Sequence, residues 1–164
     1  LENSENVDTI NAVRMLEAET RAIQVMGWTF NTIENYVMTP DDNTKRIHWD
    51  DTILSIQFSD KRIVRKRDEW LYDVTNNTDR FVSPLTAKVI QYVPFEEMPQ
   101  VFRQYITVRT AHHFVARYLG DPTIMQELQQ EEAQAYMQMM EAEITLEKSN
   151  VLMNPAIQNY MNRG

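Results

Sequence analysis

The feature that most constrains this chain is its hydrophobic period, which changes twice. Over residues 7–26, Ile10, Val13, Leu16, Thr20, Ile23 and Met26 recur at steps of three or four, the spacing of one helix face. Asn6 suits the N-cap, Glu17 and Arg21 suit an i,i+4 pair, and Gly27 suits the C′ position, where a positive φ is tolerated. From about 30 to 93 the period becomes two. Ile33, Asn35 and Val37 alternate with Glu34, Tyr36 and Met38; Ile53, Ser55 and Gln57 alternate with Leu54, Ile56 and Phe58; Lys88, Ile90 and Tyr92 alternate with Val89, Gln91 and Val93. Such alternation predicts strands. Turn chemistry at Pro40–Asn43, Ser59-Asp60 and 75–78 suggests an antiparallel sheet built from local hairpins. Asn76-Asn77-Thr78 also spells a glycosylation sequon, but reads as a turn.

Helical spacing then returns. From Pro99, the residues Val101, Tyr105, Val108, His112, Val115 and Leu119 form a seam that ends at Gly120. Asp121 caps a second helix with Pro122 at its first position, running to about Ser149 on a seam of Ile124, Leu128, Ala135, Met139, Ala142 and Leu146. The expected fold class is α+β: a helical bundle from residues 1–29 and 94–148, an inserted antiparallel β lobe over 30–93, and an extended C-terminal extension over 149–164. The flanking helices are expected to bury their seams on one another.

Charge divides along the same lines. The net charge is −8. Residues 1–60 carry 11 acids against 4 bases, residues 61–120 carry 6 against 10, and residues 121–164 carry 7 against 2. The basic excess centres on Lys61, Arg62, Arg65, Lys66 and Arg67, candidates for a phosphate or partner contact in a hairpin, or a solvated strand edge. The helix after Asp121 carries Glu127, Glu131, Glu132, Glu141, Glu143 and Glu147 with few bases to offset them, so like charges repel at i,i+4.

Little else suggests chemistry. The chain has no cysteine, which removes disulfides, thiol catalysis and Cys-zinc sites, and only three glycines, too few for phosphate-cradling loops. No apolar run approaches the roughly 20 residues of a membrane span, and no signal segment opens the chain. The first residue is Leu1 rather than Met, which points to a further N-terminal piece. His112 and His113 are adjacent and face different ways, unlike the i,i+4 pair of a zinc helix; His112 reads as a hydrogen-bonded core histidine and His113 as a surface or interface residue. Glu96 and Glu97 are candidates for a glycan-hydrolase acid only because they occupy a turn bracketed by Pro94 and Pro99, and read better as charges at the N-terminal side of a helix. No catalytic, cofactor or metal residue is assigned.

Several segments in order carry a resemblance. They are Gly27-Trp28-Thr29-Phe30-Asn31-Thr32, Leu71-Tyr72-Asp73, Phe95-Glu96-Glu97-Met98-Pro99, Tyr105-Ile106, Arg109-Thr110-Ala111, and Gln129-Gln130-Glu131-Glu132-Ala133-Gln134-Ala135-Tyr136. Together they resemble the tail tubular protein A, or adaptor, family of short-tailed bacteriophages. That resemblance implies a virion structural protein of the head–tail junction, assembled in the host cytoplasm, without cofactor, membrane or required chemistry. It implies a ring of about twelve copies with heterologous contacts, a helical part docked on the portal, a β part on the tail nozzle, and a passage for genome DNA without sequence-specific binding. It also implies a short helical stretch ahead of Leu1. In that setting Lys61, Arg62, Arg65, Lys66, Arg67, Leu152, Met153 and Tyr160 are expected partner contacts. Glu127, Glu131, Glu132 and Glu141 are expected to face the lumen or a neighbouring ring, where acidic surface repels phosphate. The rival classes are a glycan hydrolase acting during entry and a small DNA-binding protein.

Overall fold

The structure, a computed structural model, describes residues 2–152. The fold is α+β, in the order α1 (Glu2–Gln24), β1 (Thr32–Met38), β2 (Ile53–Gln57), β3 (Val64–Arg67), β4 (Trp70–Asp73), β5 (Leu85–Gln91), a 3-10 turn at Phe95–Glu97, α2 (Gln100–Phe114), a π-helical turn at Val115–Leu119, and α3 (Pro122–Leu152). The chain divides into two units. One comprises the chain up to Ile23 together with everything from Pro94 onward; the other is Gln24–Val93.

In the helical unit, α2 and α3 pack against each other. α2 buries Phe102, Tyr105, Ile106, Val108 and Thr110, more of its circumference than one seam. α3 buries Ala135, Met139 and Glu143 on a narrow stripe. The local punctuation matches the residue chemistry. Gly120 closes the π-helical turn with φ +64, and the Asp121 carboxylate accepts the backbone N–H groups of Thr123 and Ile124 at the start of α3.

Three expectations for the helices need correction. α1 begins at Glu2, so position 6 lies inside the helix rather than at its cap. Its apolar seam is buried only near its end: Thr20 and Ile23 are buried, whereas Ile10, Val13 and Met26 are exposed. Within one chain, then, the terminal helices do not sheathe one another along their length. α3 continues to Leu152, so residues 149–152 are helical rather than extended; Met153 and Tyr160 lie outside the described residues.

In the β unit, β5 is the centre of a three-stranded antiparallel sheet in the order β1-β5-β2, and β3-β4 form a separate antiparallel ribbon. This departs from a sheet of local hairpins: β1 and β2 do not pair with each other, and both wait for the last strand. Only the ribbon is local, turned by Asp68-Glu69 with Asp68 at φ +55. In β1 an irregularity between Ile33 and Tyr36 resets the alternation, so Tyr36 and Met38 face the core while Val37 is exposed. The core comprises Met38, Ile47, Phe58, Leu71, Phe81, Ala87 and Val89.

The start and end of the lobe are stitched together by two amides. Gln24 donates from Nε2 to the Val93 carbonyl (2.9 Å) and accepts from the Val93 N–H (2.7 Å). Asn31, 2% exposed, donates to the carbonyls of Gln24 and Gln91 (3.0 Å each) and accepts the Trp28 N–H. Gly27 permits the turn between them at φ +79; a Cβ there would sit 2.8 Å from Ile90 Cδ1.

Candidate interaction sites

The helical unit holds a charged cluster on the seam of α2. Tyr105, Arg109 and His112 follow one another at i,i+4,i+7, placing a cation among apolar residues. Arg109 Nε donates to Glu19 of α1 (2.8 Å) and its Nη1 donates to Glu132 of α3 (3.0 Å). His113 pairs through Nδ1 with the other oxygen of Glu19 (2.7 Å), and His112 through Nδ1 with the other oxygen of Glu132 (2.6 Å). Each carboxylate is thus shared by the one arginine and one histidine, and both are largely shielded, at 16% exposure. Burial alone would raise the Glu19 carboxyl. The hydrogen bonds from Arg109 and His113, with their charges, outweigh it and hold the group below its usual range. Burial likewise opposes the charge on Arg109, yet the Glu19 bond and charge leave it more firmly protonated. An open hollow of about 480 Å3 beside the cluster is lined by Tyr105, His112, His113, Gln129, Glu132 and Tyr136.

The acidic residues of α3 separate into three groups. Glu127, Glu131, Glu141 and Glu147 are exposed, the first three on a stripe completed by Gln134, Gln138 and Thr145. Glu132 departs from the solvated reading, because it faces α2 and is bonded there. Glu143 is buried at 5%. A second exposed stripe of α3 is apolar and includes Met137 and Ile144.

The basic segment also divides. Arg62 is held by Asp60 (2.6 Å) and approaches the buried Asp73 (3.6 Å), with its guanidinium over the Phe58 ring. Asp73 in turn accepts the backbone and side-chain N–H groups of Asn76, which makes residues 73–78 a turn. Lys66 pairs with Asp51. Arg65 and Arg67 lie on the other side of the ribbon, opposite Tyr72 and Trp70 in register. Lys61, at φ 61, occupies the loop before β3. Leu152 is the last helical residue of α3. Glu96 and Glu97 are exposed on the single 3-10 turn. Among the described residues no group of three or more His, Asp or Glu side chains could hold a metal ion.

Sequence reasoning missed the Glu19–Arg109–Glu132 cluster. Its one local signal was a charged residue on an apolar seam, one turn after Tyr105. The segments that carried the resemblance meet at this place: Tyr105, Arg109, Glu132 and Tyr136 are neighbours, with the two tyrosine rings 5.5 Å apart. A family model described as "Tail tubular protein" matches residues 1–149. The chain belongs to the tail tubular protein family. It is therefore a structural component of a bacteriophage tail, a part of the virion that assembles with other tail proteins, from a family that is generally non-enzymatic. No curated protein matches the chain. In this tail tubular protein the Arg109 cluster fastens α2 to α1 and α3. No helix among the described residues is long and apolar enough to cross a membrane.

Proposed function

We propose that this tail tubular protein is a ring-forming adaptor, about twelve copies of which join the portal to the tail nozzle and line part of the DNA passage. The observation that carries the reading is apolar surface left open at helical spacing. Val7, Ile10 and Val13 on α1 are 51%, 43% and 49% exposed, and Met137 on α3 is 71% exposed. A monomer has no use for such stripes, whereas a heterologous ring needs two different faces on each subunit. The exposed Glu127, Glu131 and Glu141 supply a face that repels phosphate, suited to a lumen through which DNA slides.

Mass measurement of the protein alone and mixed with portal tests this directly. A closed ring on the portal is the expected species, and Val13→Glu with Met137→Glu should leave a folded monomer. A wild-type chain that stays monomeric with portal would overturn the reading. In assembled rings, Glu127→Gln, Glu131→Gln and Glu141→Gln together should increase DNA retention at low salt. Unchanged retention would remove these residues from the lumen.

A further inference from the structure

The outer face of the β3-β4 ribbon is built in a way that fastening the ribbon does not require. Opposed residues of an antiparallel pair share a face, so the register Arg65↔Tyr72 and Arg67↔Trp70 sets two arginines against two aromatic rings. Leu71 and Asp73, on the opposite face, are each 1% exposed and anchor the ribbon to the lobe. The Arg67 guanidinium lies 4.8 Å from the centre of the Tyr72 ring, and Arg46 approaches the Trp70 ring at 5.6 Å. Stacking of this kind orients a guanidinium plane while leaving N–H donors at its edge. Two hollows open on this face: one of about 320 Å3 lined by Arg65, Arg67 and Tyr72, and one of about 390 Å3 shared by Arg46, Arg67, Trp70 and Asn77.

The ribbon also has an open edge. β3 has β4 as its sole strand partner among the described residues. The bond from the Val74 N–H to the Ile63 carbonyl marks 63 and 74 as a bonded pair. By alternation 65 and 67 also face β4, which turns the backbone groups of Val64 and Lys66 toward the open edge.

The geometry points to a binding site for an extended acidic peptide segment of another tail protein, which adds to β3 as a third strand. Its backbone pairs with Val64 and Lys66, and carboxylates on alternate residues reach Arg65 and Arg67 from the side of β3 away from Tyr72. The spacing follows from the strand: side chains two apart share a face, so the partner motif is acid-x-acid rather than a run of adjacent acids. Charge favours a peptide over DNA. Arg62 and Lys66 are already paired with Asp60 and Asp51. Asp68 and Asp79 line the larger hollow, and Asp79 holds Arg46 at 2.7 Å. A strand on the open edge of β3 needs only the two arginines; a duplex laid across the face, with a phosphate charge about every 1.7 Å of its axis, meets these acids. The site is independent of ring formation.

The test uses the full chain with three fluorescent probes: an eight-residue Thr/Val peptide with Glu at two alternate positions, the same composition with the two Glu adjacent, and a 20-base-pair duplex. The alternating peptide should bind at least about tenfold more tightly than either other probe, the scale of charge-assisted hydrogen bonds. Arg65→Gln with Arg67→Gln should weaken it about tenfold or more. Lys66→Pro should also abolish binding, because it removes an edge N–H, whereas Lys66→Gln should not. Circular dichroism identifies any variant that fails to fold, and Arg65→Lys with Arg67→Lys then replaces the Gln pair and should weaken binding while keeping the preference for alternation. Equal binding of the two peptides, stronger binding of the duplex, or no peptide binding by the folded wild type would each overturn the proposal. Because none of these readouts depends on oligomeric state, failure here leaves the ring reading untouched.

Discussion

Replacing Arg109 by Met is the sharpest test of the helical unit. Met preserves most of the buried stem and deletes two charge-assisted bonds, leaving Glu19 and Glu132 in place. Removing one partner of a fully buried ion pair costs about 3–5 kcal/mol, because the remaining charge stays desolvated. Here the arginine is 31% exposed and each carboxylate keeps a histidine, so the discounted figure is about 2–3 kcal/mol. For a chain of this length that corresponds to a melting temperature lower by roughly 4–12 °C. Arg109→Lys should restore less than half of the loss, because a single ammonium does not span two carboxylates on different helices with a planar fork. Urea unfolding of wild type, Arg109→Met, Glu19→Gln, Glu132→Gln and the two doubles gives the pairwise terms. Coupling of Arg109 to both glutamates above about 0.5 kcal/mol is expected. A loss below about 0.5 kcal/mol for Arg109→Met, or strict additivity with both glutamates, would refute the idea that this cluster fastens three helices.

Acid should act on the same place. The Glu19 carboxyl is held below its usual 4.5 in the folded chain, so its contribution is complete above pH 4.5 and fades as pH falls through the lower folded value. The urea midpoint should therefore drop more steeply below pH 4.5 in wild type than in Glu19→Gln. Gly27→Ala should cost about 1–2 kcal/mol, combining a left-handed backbone with pressure on Ile90 Cδ1; thermal melts of the single and of the double with Ile90→Val should show partial relief. Asn31→Ala should cost about 2–3 kcal/mol by stranding buried backbone groups, and Asn31→Asp more at neutral pH, because a carboxylate would face the carbonyls of Gln24 and Gln91. Chemical unfolding at pH 7 ranks the two.

What the sequence revealed was local. Gly27, Gly120 and Asp121 were legible because a positive φ or a cap depends on a few neighbouring residues. The strands of the three-stranded sheet were legible from alternation, apart from the β1 irregularity, which moves Val37 outward. Pairing was not legible. β5 sits between strands that precede it by dozens of residues, and nothing in a turn motif specifies so distant a partner. Glu19 and Arg109, 90 residues apart, were hidden for the same reason. The five bases at 61–67 looked alike in sequence; only register and the positions of Asp51, Asp60 and Asp73 separate the pinned Arg62 and Lys66 from Arg65 and Arg67. The acids of α3 likewise looked like one solvated run until packing turned Glu132 and Glu143 inward.

The chain order of the two units has a consequence during synthesis. The lobe possesses all its strands once Gln91 has left the ribosome, and it can close while translation continues. α1 emerges ahead of the lobe, yet the arginine that secures it is translated 90 residues later. Val7, Ile10 and Val13 stay an oily strip throughout, because even the finished fold leaves them exposed. Polysomes crowd such strips together, so the risk of premature tangling falls on α1.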